Sequence, residues 1–465
     1  MDSPQTRAFG LGDLLHASMD LEEDAAVSNL DGDYSSPPFA RLRVVGIGCD
    51  GVAGLSPRAV KVLRSARKIF GSPRQLSLLD DGALIPPGAP PAHLPTQDQD
   101  ARTPELTAWP KKFWQDWVQT LSAVDPAVDV ILASGDPMFH GIGASLVREL
   151  GRGAVEVIPA PSSASLACAH LGWPLHETPV VSLVTGRPGM EGAARVVPVA
   201  DTGKPFLVLC RSAASVKDVS HVLADRPDTK LTALTNLGGS HATGLPESVV
   251  RGSVASPPEP AGDLTVLAVE PSASIRSGHA LRGWLSDDDF DSDGQLTKAP
   301  IRQMTVAALD PRPGALLWDI GGGTGSIAIE WARHGGMSEV FEQKAERVER
   351  IRHNAQALSG NVVVFQGSAP KVLEESSATP EAIFIGGGLT AQGMIDRCWN
   401  ALAPGGRIVA NTVTLESEAL LWEARRRFGG TVTRISVERA GAVGRFTAWR
   451  PALPVVQWVA DKPAE

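Results

Sequence analysis

Residues 315–333 read ALLWDIGGGTGSIAIEWAR. A strand-like apolar run, ALLWDI, hands over to Gly321-Gly322-Gly323-Thr324-Gly325 and then to SIAIEWAR, which has helical spacing. Glycines at such a junction let backbone come close to a ligand, and the following helix N-terminus supplies unpaired N–H groups. The turn by itself is weak evidence, because dinucleotide enzymes use the same device. Three neighbours tilt the reading. Asp319 lies just ahead of the glycines, where a carboxylate can accept from the ammonium of an amino-acid moiety. Glu342 ends the next strand, where an acid can hold both ribose hydroxyls. Gly367-Ser368-Ala369-Pro370 follows the third strand, placed to border an adenine. Together they describe S-adenosylmethionine better than a nicotinamide cofactor, the blander alternative.

Outward from this turn, strand and helix patterns alternate. EVFE reads as a short strand, AERVERIRHNAQAL as a helix, NVVVFQG and AIFIGGG as strands, GMIDRCWNAL as a helix and GRIVANTV as a strand. That alternation predicts a mostly parallel, doubly wound sheet. Upstream, order is expected to begin at Arg41, where RLRVVGIG reads as a strand running into glycines. SPRAVKVLRSARKIF follows as a helix with Ser56 at its N-cap and Pro57 at its first position. A Pro-rich stretch spans 81–105, and FWQDWVQTL reads as a short helix whose Trp114 and Trp117 are core residues. VDVILASGDPMFHGIGASLVREL and VEVIPAPSSASLACAHLGW are two strand–loop–helix units, and the strands FLVLC, KLTALT and DLTVLAVE follow. The polar segment SGHALRGWLSDDDFDSDGQ marks the junction between halves. The expected organisation is an extension over 1–40, a first domain over 41–270, a linker over 271–283 and a second domain over 284–465.

At 465 residues the chain exceeds one ordinary core. Its 43% hydrophobic and 20% charged content is that of a folded globular protein. No apolar run is long enough to span a bilayer, and the N-terminus lacks a basic and apolar leader, so a cytoplasmic protein without membrane contact is expected. The 4 scattered cysteines argue against a disulfide framework or a metal site. A net charge of −9 with no basic tract disfavours nucleic-acid binding. So does Gly386-Gly387-Gly388, which stands where DNA amino-methyltransferases carry an Asn/Asp-Pro-Pro-Tyr turn; its open backbone suits a flat carbon nucleophile.

At the level of motifs the chain resembles two known families. QLTKAPIRQMTVAALDPRPGALLWDIGGGTGSIAIEW, GSAPKVL, IFIGGG and LAPGGRIVANTV are similar to the C-terminal methyltransferase half of the precorrin-6Y C5,15-methyltransferase (decarboxylating) family, over about Trp284 to Trp458. VVGIG (44–48), SGDPMFHGIG (134–143) and IPAPSSASLACAHLG (158–172) resemble the tetrapyrrole methylase family, over about Leu42 to Glu270. The resemblance implies an α/β chain with an N-terminal two-lobed tetrapyrrole methylase fold and a C-terminal Rossmann-like class I methyltransferase. Cofactor contacts are then expected at Gly46, Gly48, Gly135, Asp136, Pro137, Ser162 and Ser163 in the first half. In the second they are Thr297, Asp319, Gly321, Gly322, Gly323, Thr324, Gly325, Glu342, Ser368 and Ala369. Asp136 either fixes its own loop or accepts from the cofactor, and Ser162 and Ser163 are either plain helix caps or cofactor contacts. His140 and Cys49 read as structural.

The same resemblance implies methylation of a reduced tetrapyrrole at C5 by the first half. It implies methylation at C15, with loss of carbon dioxide from the ring C acetate, by the second. An enamine-like meso carbon is already nucleophilic, so alignment carries most of such a methyl transfer. No Ser-His-Asp, Cys-His or metal constellation is then needed, and no catalytic base or general acid stands out. Arginine forks are expected to hold the substrate's carboxylates, with Arg302 and Arg445 as candidates. A rival reading is methylation of another tetrapyrrole, of sirohaem type or already bearing cobalt; another is a first half that serves as a non-catalytic scaffold. Tetrapyrrole methylases tend to self-associate, so a homo-oligomer is expected.

Overall fold

The computed structural model describes residues 41–79, 103–110, 121–185, 188–272, 284–358 and 360–464. The expected extension over 1–40, most of the Pro-rich stretch, Trp114, Trp117 and most of the linker lie outside the described residues.

The first half carries two sheets. In the first sheet β1 (Leu42–Ile47), β2 (Lys68–Gly71), β3 (Glu105–Ala108), β4 (Val130–Ser134) and β5 (Val155–Ile158) run parallel in the order β3-β2-β4-β1-β5. Strands covered on both faces read as unbroken apolar runs, as β1 does after Arg43 and β4 does up to Ser134. The second sheet, of β6 (Val180–Ser182), β7 (Phe206–Leu209), β8 (Lys230–Thr235), β9 (Ser248–Ser253) and β10 (Thr265–Glu270), is mixed, in the order β6-β7-β10-β8-β9. One expected element is cut short. The helix after Ser56 spans only Pro57–Arg64, and Lys68–Phe70, expected to be its last turn, belong with Gly71 to β2, which pairs with two parallel neighbours. Ile69 and Phe70 are buried in that sheet, so tertiary packing overrides the local helical signal.

The second half is built on β11 (Leu316–Ile320), β12 (Met337–Glu342), β13 (Val362–Gln366), β14 (Ala382–Ile385), β15 (Arg407–Thr412), β16 (Thr431–Ile435) and, after a ribbon of β17 (Glu438–Val443) and β18 (Phe446–Pro451), β19 (Val455–Asp461). The order is β13-β12-β11-β14-β15-β19-β16, parallel as far as β15, with β19 antiparallel between β15 and β16. The chain leaves β11 in one direction and returns to β14 on its other side. This places a topological switch point at the carboxyl ends of β11 and β14, where open α/β sheets bind ligands. The expected short strand EVFE begins earlier, at Met337, and forms six residues of ladder with β13 and β11.

The described part of the segment expected as a polar junction, with Leu296 just after it, contributes to the core. Leu285, Phe290 and Leu296 are buried and pack with Ile329 and Ala355 of the second half. The halves touch where residues 190–201 meet 333–360. Asp201 of the first half accepts from Arg226 and, at 2.9 Å, from Arg333 of the second, while the Gln356 amide approaches the Met190 sulfur at 3.7 Å.

Candidate active sites

In the second half the glycine turn is shaped by neighbours that leave no room for side chains. Gly321 has φ +78°, and a Cβ there would stand 2.8 Å from the Gly387 backbone, so two bare turns, after β11 and after β14, lie against each other. At Gly322 a Cβ would meet Val340 at 2.2 Å. Gly323, at φ +60°, faces the Gln295 carbonyl, which brings Gln295-Leu296-Thr297 to the edge of the turn. Thr297 therefore sits in the wall of the site, its own carbonyl accepting from Arg302 at 2.8 Å. Asn354, buried on the helix Ala345–Leu358, fastens turn and wall together. Its amide donates to the Thr324 and Asp291 carbonyls, each at 3.0 Å, and its oxygen accepts from Asp291 N–H. Sequence reading missed Asn354, since a single amide in a charged helix carries no signal.

Two carboxylates converge on this turn. Glu342, buried at the end of β12, accepts from Gly323 N–H at 3.0 Å and Lys344 N–H at 2.9 Å. Asp319, buried at the end of β11, accepts from Ala328 N–H. Burial, and then the nearby Glu342 charge, push the Asp319 carboxyl up to about 7. The Thr324 hydroxyl is buried with no described partner. Ser368 and Ala369 follow β13 beside these groups in the parallel register. Unneutralised acids, an unpaired hydroxyl and bare backbone form a cradle suited to a cationic, hydroxyl-bearing ligand, and S-adenosylmethionine fits that description.

A pH prediction follows. With its carboxyl near 7 when folded, against an ordinary value of 3.8, Asp319 binds its proton more tightly in the folded state. Its contribution is harmless below about 4 and grows into a penalty as pH rises towards 7, on the order of 4 kcal/mol at most. Asp319→Asn should therefore melt above the parent at pH 8 without ligand, and the difference should shrink to about 1 kcal/mol near pH 4.5. Thermal unfolding at both pH values checks this; a gap that does not change with pH overturns it.

In the first half three loops meet at the carboxyl ends of β1, β4 and β5. A Cβ at Gly46 would strike the Gly135 carbonyl at 2.2 Å and Ala160 N at 2.7 Å. Gly48 is bounded by the Asp50 carboxylate, and Gly135, at φ +59°, packs on Pro161. Asp136 accepts from Met138 N–H at 2.9 Å, which closes its own loop, and Pro137 is buried beneath Gly141 and Gly143. Ser162 is the N-cap of the helix Ser163–Leu171, accepting from Ser165 N–H, whereas Ser163 is exposed at that helix's first position. His140 follows in the left-handed region, at φ 55°.

The two arginines expected to bind substrate stand elsewhere. Arg302 is wholly buried, and its guanidinium is already engaged. It donates to Glu330 (3.2 Å), Asp287 (3.0 Å) and the Thr297 and Leu285 carbonyls (2.8 and 2.6 Å), and it lies over the Phe290 ring. This corrects the expectation: Arg302 ties the wall segment to the helix Ser326–Arg333 and offers no donor to a ligand. Arg445 is exposed at the tip of the β17–β18 ribbon, over the Phe446 ring, and no contact brings it to the glycine turn.

Comparison with known proteins agrees with both halves. Residues 41–255 match the Tetrapyrrole (Corrin/Porphyrin) Methylases, and residues 288–462 match the Precorrin methyltransferase domain. Over 424 residues the chain is 39% identical to the precorrin-6Y C(5,15)-methyltransferase [decarboxylating] of Mycobacterium tuberculosis strain H37Rv, covering 90% of this chain and 99% of that one. The chain belongs to the precorrin-6Y C(5,15)-methyltransferase family. A member of the same name from Sinorhizobium sp is 37% identical over 444 residues, 93% of this chain and 98% of its own. A crystal structure of the C-terminal domain of the Rhodobacter capsulatus precorrin-6Y C5,15-methyltransferase is 45% identical and covers 39% of this chain and 100% of its own, with a TM-score of 0.38. Membership of the precorrin-6Y C(5,15)-methyltransferase family makes the chain a methyltransferase and implies use of S-adenosylmethionine. No described helix is long and apolar enough to cross a membrane.

Proposed function

We propose that this chain transfers methyl groups from S-adenosylmethionine to C5 and C15 of precorrin-6Y and releases carbon dioxide from the ring C acetate, giving precorrin-8. In this reading residues 41–270 methylate C5, and residues 284–465 methylate C15 and decarboxylate. The observation that carries it is the presence, in each half, of a glycine-walled cradle at the carboxyl ends of parallel strands, in a chain that matches its curated relatives over almost their whole length.

Bound in each cradle, S-adenosylmethionine supplies an electrophilic methyl on a good leaving group. The chain's own residues have the task of alignment. In the second half Glu342 and Asp319 take the ribose and ammonium ends, and Thr324, Thr297, Ser368 and Ala369 close the sides. The bare backbone of Gly386–Gly388 leaves space for a flat macrocycle. In the first half the turns Gly46–Gly48 and Gly135–Pro137, with the exposed Ser163, hold the cofactor by backbone. Asp136 and Ser162 act through the loops they fasten.

Incubation of the full chain with precorrin-6Y and methyl-labelled cofactor should give a product two methyls heavier and one carbon dioxide lighter. Calorimetry should count two equivalents of S-adenosylhomocysteine per chain. A single equivalent, or methyl gain without loss of carbon dioxide, overturns the proposal.

A further inference from the structure

A polycarboxylate substrate must approach a chain of net charge −9, so local cations have to overcome the overall field. In the first half most arginines with buried or half-buried partners are spoken for. Arg67 pairs with Asp129, Arg58 with Glu156 and Arg226 with Asp201. Two are not. Arg74, on the short helix Pro73–Ser77, donates to the Ser134 hydroxyl at 2.6 Å. Arg195 donates to the Ser182 carbonyl at 2.9 Å. Neither forms an ion pair with a described carboxylate, although both are half-buried. Desolvation lowers the affinity of both guanidiniums for their protons, which a neutralising acid would offset.

Their positions bracket one loop. Arg74 holds Ser134, the last residue of β4 and the one before Gly135-Asp136-Pro137. It also lies near Cys49 at the end of the β1 turn. Arg195 comes from the second lobe and lies close enough to His140, at the far end of the same loop, to help burial hold that imidazole below its ordinary range. Arg74 further lines a cavity of about 360 Å³ between the lobes, together with Asn236, Leu245 and Leu264. That cavity also holds two acids, neither of which is paired with Arg74. Glu247 accepts from Gly238 N–H and faces His170, and Asp263 accepts from Ala213 N–H. A desolvated guanidinium with unused donors is a receptor for a carboxylate.

We infer that Arg74 and Arg195, one on each side of the Ser134–His140 loop, each receive a carboxylate of the tetrapyrrole and so set the macrocycle's orientation in the first site. This rests on the C5-methylation reading above. Two guanidiniums at opposite ends of one loop match a ring with carboxylates around its rim, whereas the cofactor carries a single carboxylate.

The test uses the full chain with Arg74→Gln, Arg195→Gln and the charge-keeping Arg74→Lys and Arg195→Lys. Each glutamine variant should raise the KM for tetrapyrrole in C5 methylation by about 10- to 100-fold. Spectroscopic titration with tetrapyrrole alone should weaken in parallel, and the lysine variants should recover part of the loss. Binding of S-adenosylhomocysteine by calorimetry should be unchanged at both sites. Unchanged KM in both glutamine variants overturns the inference. Loss of S-adenosylhomocysteine at one site with tetrapyrrole binding intact also overturns it, since the guanidinium would then hold the cofactor's carboxylate. If the parent chain itself gives no C5-methylated product, the failure lies with the functional reading instead.

Discussion

Gly321→Ala should silence the second site while sparing the first. The residue has φ +78°, and a methyl group there would sit 2.8 Å from the Gly387 backbone. An L side chain in that conformation costs about 1–2 kcal/mol, before any clash. The clash is with backbone, which cannot rotate away, so the turns after β11 and β14 have to part. Gly323 N–H, which donates to Glu342, and the buried Thr324 hydroxyl ride on the same turn and move with it. An expected loss of about 100-fold in cofactor affinity at this site corresponds to about 2.7 kcal/mol. Calorimetry should then count one tight equivalent of S-adenosylhomocysteine where the parent binds two, and the product from precorrin-6Y should gain one methyl, at C5. Two tight equivalents, or an unaltered product mass, would show that this turn does not carry the C15 cofactor.

The second large effect is on stability. Arg302→Ala leaves the Glu330 carboxylate wholly buried without its cation, and the Leu285 and Thr297 carbonyls without their donor. Breaking a buried pair from one side costs about 3–5 kcal/mol, equivalent to about 10 °C in a unit of this size. Burial already raises the Glu330 carboxyl, with Arg302 as the leading opposing influence. Without Arg302 it rises further, and the folded variant holds that proton more tightly than the unfolded chain does. A raised acid contributes its penalty above its unfolded value, so the gap between parent and variant should widen from pH 5 to pH 8. Thermal unfolding at the two pH values measures this. A pH-independent gap, or one below about 1 kcal/mol, would mean that Arg302 is not the counter-charge of Glu330.

Much of this architecture can be read along the chain, for identifiable reasons. The second half announces itself because strand, glycine turn and helix follow each other without interruption, and because Asp319 and Glu342 fall at strand ends that the periodicity fixes. In the first half the loops of VVGIG and SGDP are equally legible. The helix predicted through Phe70 shows the limit, since KIF is as good a helix end as a strand until its neighbours β3 and β4 are known. Arg302 shows another. A guanidinium in a motif reads equally as a ligand contact or as a buried tie. The signal that separates them was Glu330, an acid in the middle of the apolar run SIAIEWAR, where only a paired charge is tolerable. Arg74 and Arg195 have no local signal at all, because lacking a partner is a property of the folded surroundings.

The position of β19 has a consequence for synthesis. It lies inside the seven-stranded sheet, between β15 and β16, although it is made after both. As the ribosome extends the chain, β16 has nothing to pair with until residues 455–461 emerge, whereas the ten strands of the first half's described residues are all made by Glu270. A nascent chain thus carries one finished half and, while residues 413–454 are being made, a β15 edge still without its partner β19. A stop codon between Thr412 and Val455 would leave that edge permanently open, and such a fragment is a template for aggregation rather than a smaller enzyme.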